Sequence, residues 1–484
     1  MSFNSSLFPL FFLLVVAACF GLPARHRWKL LLAASYGFYM AWKPVYVVWL
    51  VAITLLDYWC ALRMGRGKAG QPGRRKWLVL SITGNLATLF VFKYAGFVSD
   101  SVRVAASWLG VSWALPAWHV LLPLGISFHT LQTIGYSIDV YRGVRGAERN
   151  LGLFALYVSF FPQMVAGPIE RSTRLLPQLH AEHDFRSDRV ASGLRLMLWG
   201  FFKKLVIADR AGLFVNAVYG APASHDGIAT LAATLLYAFQ IYCDFSGYSD
   251  IACGAARVLG YELTVNFERP YFARSIQEFW RRWHISLSTW FRDYVYVPLG
   301  GSRTQGTGWM ANVAIVFLLS GLWHGANWTF IVWGALHGVY YVAGRSTEPW
   351  RARMRAAFGL VNSRAWDSLR SVITFGMVAV AWILFRARSL ADAGQLVRNL
   401  VHPNWNAFMA DLRQPHAVGL KGMAMNVVLI AILLGVEHLT RGQRIEQVWG
   451  ARPLAVRWAA AYGLAMGILL FGVVAQNEFL YFQF

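Results

Sequence analysis

Four places in this sequence set ionisable side chains among apolar ones: His129 to Asp139, Asp244 to Asp250, His284 within an arginine-rich stretch, and His324 to His337. A charged group at the centre of a bilayer costs about 2.5–3.5 kcal/mol on insertion scales, which makes each place a candidate for function. The sharpest is Ser320-Gly321-Leu322-Trp323-His324-Gly325-Ala326-Asn327-Trp328. Imidazole titrates near neutrality, so it suits general-base work there if its neighbours keep it uncharged. Glycines on both sides of His324 let another backbone or a flat substrate come close. The plainer reading is a histidine satisfied inside a helix bundle, and spacing alone leaves both readings open.

The elements that must position these groups are membrane helices. Of the 484 residues, 57% are hydrophobic, 15% aromatic and 14% charged, against roughly 45–50% apolar and 25% charged in soluble domains. Mean hydropathy is +0.43. Apolar stretches recur near 5–22, 28–42, 45–62, 77–95, 120–140, 151–167, 194–217, 228–256, 310–344, 371–386, 423–437 and 455–476. Because about 20 apolar residues span a bilayer, the pattern predicts an all-α polytopic protein with about eleven or twelve membrane segments. Residues 1–484 read as a single membrane-embedded domain.

A net charge of +22 would suggest nucleic acid as partner in a soluble protein. Here Lys and Arg cluster in short loops between apolar runs and act as topology signals instead, so membrane lipid is the expected partner and nucleic acid is not. Arg25, Arg27 and Lys29, then Arg63, Arg66, Lys68, Arg74, Arg75 and Lys76, then Arg142, Arg145 and Arg149 mark cytoplasmic loops. Lys43-Pro44, the first residues and a segment around 96–118 then fall outside. Arg452 and Arg457 precede the last apolar run, which places the C-terminus outside as well. The run Leu7 to Phe20 has no Lys or Arg before Arg25, so it reads as a spanning helix rather than a secretory or lipoprotein signal. Cys19, Cys60, Cys243 and Cys253 lack metal-ligand spacing, and neither a metal nor a disulfide framework is expected.

Residues 262–308 break the hairpin pattern. Arg269, Arg274, Arg281, Arg282, Arg292 and Arg303 alternate there with Phe279, Trp280, Trp283, Trp290 and Tyr294, and no 20-residue apolar run exists. Such a stretch suits a helix at the interface or one that re-enters the bundle from the cytoplasmic side. Within it, Phe279-Trp280-Arg281-Arg282-Trp283-His284-Ile285-Ser286-Leu287-Ser288 and Phe291-Arg292-Asp293-Tyr294, followed by Leu322-Trp323-His324-Gly325, resemble signature blocks of the MBOAT family of membrane-bound O-acyltransferases. Tyr242-Cys243-Asp244-Phe245-Ser246-Gly247-Tyr248-Ser249-Asp250 and Phe161-Pro162-Gln163-Met164-Val165-Ala166-Gly167-Pro168-Ile169 resemble further blocks of its bacterial branch. That branch contains the alginate O-acetyltransferase membrane subunit and the teichoic-acid D-alanyl transferase.

The resemblance implies a helical ring with a thinned centre and a tunnel, set in the bacterial cytoplasmic membrane, in which His324 meets an acyl thioester. His284 would be its partner, with the two roles exchangeable. Acetyl-coenzyme A is the implied donor, a substrate rather than a resident cofactor. Arg281 and Arg282 could steer its phosphates or serve as interface charges, and Trp283, Trp323 and Asn327 are the neighbouring candidates for substrate contact. The aromatic tail 478–484 resembles endings in the family whose tyrosine receives the acyl group; Tyr481 is the matching residue. A phenol with pKa about 10 needs a base to become a nucleophile, and its ester remains a reactive donor. The alternative is a tail that only anchors at the interface. No Gly-x-Ser-x-Gly elbow occurs, so a separate periplasmic or extracellular O-acetyltransferase subunit is implied as partner. Two competing classes are a transporter or flippase, since intramembrane Asp and His also line ion paths, and a family member with a lipid or protein acceptor.

Overall fold

The computed structural model describes residues 3–67, 71–111, 122–361, 363–413, 419–440, 442–473 and 479–480. All regular structure among them is helical. Among the described residues seven helices are long and apolar enough to cross a bilayer: Tyr46–Gly65, Gly73–Trp108, Gly227–Leu259, Gly306–His324, Arg364–Arg386, Gly419–Thr440 and Leu454–Phe471. The apolar helix Phe8–Gly21 is too short to qualify. The expected outside segment near 96–118 is in part helix, because the Pro72–Leu89 helix continues through a π-helical turn, Phe90–Tyr94, to Trp108.

The chain forms two compact units, one of residues 1–197 with 251–264 and one of 198–250 with 265–484. In the first, the stretch 151–167 is helical only over Leu151–Ser159. Pro162 cannot donate to a helix, and a Cβ on Gly167 would lie 2.4 Å from Gln163 Cα. The carbonyl of Tyr157, left without a helical donor, accepts instead from Gln132 Nε2 at 2.7 Å and Gln163 Nε2 at 3.2 Å. Buried Asp57 is likewise provided for: Ser81 Oγ donates to it at 2.6 Å and Asn85 Nδ2 at 2.9 Å. Away from water every polar group needs such a partner from the protein.

In the second unit the run 310–344 is two helices, Gly306–His324 and Trp328–Ser346. Asn327 ends the break between them, its side chain accepting from Thr329 N at 3.0 Å as an N-cap. The two helices meet backbone to backbone. A Cβ on Gly321 would lie 2.3 Å from the Phe330 carbonyl oxygen, and one on Gly334 would lie 2.3 Å from that of Phe317. Small residues at such contacts are what lets membrane helices approach closely. Gly334→Ala should therefore force the pair apart and lower stability by about 1–3 kcal/mol, read as a fall in the thermal unfolding temperature of the purified protein. An alanine at Gly376, whose Cβ would meet nothing within 4 Å, serves as the control and should leave it unchanged.

Candidate functional site

His324 is the last residue of the helix Gly306–His324 and is 5% exposed. Its imidazole packs against Trp323 at 4.8 Å, the edge of Trp333 at 5.2 Å and Phe385 at 5.2 Å, centroid to centroid. The flanking glycines are filled by protein: Gly321 receives the Phe330 backbone, and a Cβ on Gly325 would lie 2.1 Å from the Phe330 ring. Of the two readings of these glycines, close approach of protein is the one realised.

His284 reaches the same place from a short helix pair. Ser275 caps Ile276–Arg282 by accepting from Glu278 N at 3.1 Å. Trp283 is extended, and His284 then adopts a left-handed conformation, φ 43° and ψ 57°, before the helix Ile285–Phe291. Few residues other than glycine enter that region, and those that do cluster at functional sites. Asn266 holds the turn with two acceptors: its carbonyl takes Ile285 N at 2.9 Å and its side-chain Oδ1 takes Ser286 N at 3.2 Å. The result is a fully buried imidazole against Phe245 at 4.6 Å and Trp323 at 5.8 Å, with its centroid 6.4 Å from that of His324. His284 lies outside the seven candidate spans, and burial pulls its imidazole down to about 3. It is therefore neutral at physiological pH, with one donor and one acceptor nitrogen.

A cavity of about 500 Å³ opens beside the pair. Arg281, Arg292, Gln277, Ser288, Ser320 and Trp280 line it. Ser320, one turn before His324 on the same helix face, and Ile285, which follows His284, stand in its wall; neither histidine lines it. The predicted residues divide accordingly. Arg281 is at the cavity and forms no ion pair among the described residues. Arg282 instead binds Glu278 at 2.6 Å and donates to the carbonyl of Arg269. Trp283 is stacked into the aromatic core at 5.5 Å from Phe279. Trp323 touches both imidazoles, and Asn327, besides capping its helix, donates to the Arg388 carbonyl at 3.0 Å. Tyr481 lies outside the described residues.

Other neighbours of the two histidines carried no role in the sequence. Asn266 offered only the faint signal of one amide between Val265 and Phe267, and Arg292 was part of a quoted block without a role. His337, named only as the end of a candidate stretch, is a third buried imidazole, 4.9 Å from Trp333 and 5.0 Å from Trp280. Neither of its ring nitrogens has a hydrogen-bond partner among the described residues.

Two buried histidines facing each other in a helical membrane protein point to a class that comparison with known proteins makes explicit. Residues 149–375 match the family described as MBOAT, membrane-bound O-acyltransferase. The chain is 36% identical to a probable alginate O-acetylase, AlgI, of Azotobacter vinelandii, with both chains covered completely. It is 32% identical to a peptidoglycan O-acetyltransferase of Helicobacter pylori, over 94% of this chain and 91% of that one. A teichoic acid D-alanyltransferase of Streptococcus thermophilus is 29% identical over 54% of this chain and 68% of its own. The chain belongs to the membrane-bound O-acyltransferase family. It is a multi-pass membrane enzyme that transfers acyl groups, which sets aside the transporter reading.

The hold of Asn266 on His284 can be tested directly. Asn266→Ala leaves Ser286 N without its acceptor and should cost about 1–3 kcal/mol of stability together with most acyltransferase turnover. Asn266→Asp keeps an oxygen in place and should restore both, by thermal unfolding and by release of free thiol from an acyl thioester.

Proposed function

We propose that this enzyme takes acetyl groups from cytoplasmic acetyl-coenzyme A and delivers them for O-acetylation of a polysaccharide outside the cytoplasmic membrane. The observation that carries the reading is the His284–His324 pair, ring centroids 6.4 Å apart and walled by aromatics, with a cavity lined by Arg281 and by the neighbouring Ile285 and Ser320. A thioester donor with a phosphate-rich handle suits a cavity lined by Arg281 and Arg292 and a pair of buried imidazoles nearby. The acceptor class follows the relatives, two of which are named for alginate and peptidoglycan O-acetylation.

In the proposed step, His324 takes the phenolic proton of Tyr481. The phenolate attacks the thioester carbonyl, the carbon–sulfur bond breaks, and coenzyme A leaves as its thiol after receiving that proton. The product is an acetyl ester on Tyr481. His284, neutral and fixed by its turn, orients the donor. A separate enzyme on the outer side then moves acetyl from the tyrosine ester to a sugar hydroxyl and regenerates the phenol. The charge pattern supports placing both termini outside, where such a partner acts.

Incubation of the purified protein with radiolabelled acetyl-coenzyme A should leave label on the peptide carrying Tyr481, reduced about a hundred-fold or more by His324→Ala and abolished by Tyr481→Phe. Thiol release without tail label, on adding the partner or a lipid acceptor, would instead mean direct transfer. The two arginines provide a second check. Arg281→Gln should raise KM for acetyl-coenzyme A about ten-fold with kcat little changed, as loss of one charge-assisted contact does. Arg282→Gln should lower thermal stability and leave KM near its original value.

A further inference from the structure

The helix Gly227–Leu259 that sets Phe245 against His284 also carries, one residue earlier, Asp244, which faces the aromatic tail. Asp244 Oδ2 accepts the main-chain N–H of Leu480 at 3.0 Å. Its other oxygen accepts from Lys204 Nζ at 2.6 Å, and the same ammonium donates to Asp209 at 2.8 Å. Lys204 Nζ stands 4.6 Å from the centroid of the Phe479 ring. Tyr248, one turn on from Asp244, meets that ring edge-on at 4.7 Å. Phe479 and Leu480 are 1% and 4% exposed.

Why the lysine is there is a matter of backbone. Lys203 and Lys204 are consecutive, and on a regular α-helix they would point about 100° apart. They lie in a π-helical turn, Phe202–Ala208. Both are buried toward the same helix: Lys203 binds Asp250 at 2.7 Å and Lys204 binds Asp244. A π-turn inside a helix is costly and is found mostly where function needs it. Lys204 occupies one oxygen of Asp244, and the tail's N–H donates to the other, so the contact is charge-assisted.

We propose that Asp244, fixed by Lys204, is the positioning residue that presents the tail to the reaction centre. It grips the chain at Leu480, the residue before Tyr481, and the Phe479 ring fills the slot between Lys204 and Tyr248 so that the grip has one register. This rests on the reading that Tyr481 accepts the acyl group. It converts the tail from an interfacial anchor into a seated segment of the active site.

The test uses the full-length protein with a photoreactive benzoylphenylalanine in place of Phe479. Irradiation should cross-link it to the peptide containing Tyr248. Leu480→Pro removes the N–H without touching the buried ion cluster and should lower both the cross-link and the acetyl label on the tail about ten-fold. Leu480→Ala keeps the N–H and should retain most of both. Asp244→Asn should behave like the proline variant, and because it alters a buried charge, the proline-alanine pair decides the matter if it fails to fold. Equal yields for the proline and alanine variants, or no cross-link in the parent, would overturn the clamp. A parent tail that cross-links in an N–H-dependent way but never carries label overturns the acceptor reading instead.

Discussion

The close contact between Gly321 and Gly334 governs the geometry of the second unit. Because neither residue has a Cβ, the helices Gly306–His324 and Trp328–Ser346 come within backbone range. That approach lets His324 at the end of the first helix rest on Trp333 of the second. Trp333 in turn stacks on Trp382 at 5.9 Å, and Phe385 closes over His324. Hydrophobic driving force is weak between helices already in lipid, so close packing of this kind carries much of the association. The catalytic candidate is thus held by surfaces that cannot slide without breaking a backbone contact.

The other imidazole is held by a different device. His284 sits at a kink between two short helices rather than on a helix face, and its left-handed backbone is compensated by the two acceptors of Asn266. A residue in this conformation projects its side chain along a direction unavailable to a regular helix. The aromatic residues around both histidines, chiefly Phe245, Trp323, Trp333 and Phe385, have few rotatable bonds and exclude water, which strengthens any electrostatic interaction in the space they enclose. Rigid walls and a dry interior are what an acyl thioester requires if it is to be transferred rather than hydrolysed.

Several charges of the second unit that are withdrawn from water are matched to a partner. Lys203 with Asp250, Lys204 with Asp244 and Asp209, and Arg282 with Glu278 are all pairs within 2.9 Å. Arg281, which is exposed, forms no ion pair among the described residues and lines the cavity. Neighbouring Arg281 and Arg282, about 100° apart around one helix, thus divide between the cavity wall and an ion pair with Glu278.

Much was legible before any coordinate. Apolar runs near the bilayer length dictate an all-α membrane protein, because a helix bonds its own backbone in lipid, and the blocks around His284 and His324 named two residues that the fold brings together. Helix length was less legible: residues 151–167 and 310–344 read as continuous runs, yet Pro162 and the Gly325–Asn327 break divide them, since hydropathy does not register a missing donor or a capping amide. The roles of Asn266, Lys204 and Asp244 were decided only by tertiary structure. Asn266 serves a turn about twenty residues away, and Lys204 and Asp244 meet across 40 residues of sequence to hold a tail 236 residues further on. Composition and periodicity report which side chains lipid and water will accept. Which polar group answers which depends on how the helices cross, and that is set by contacts that no local stretch of sequence contains.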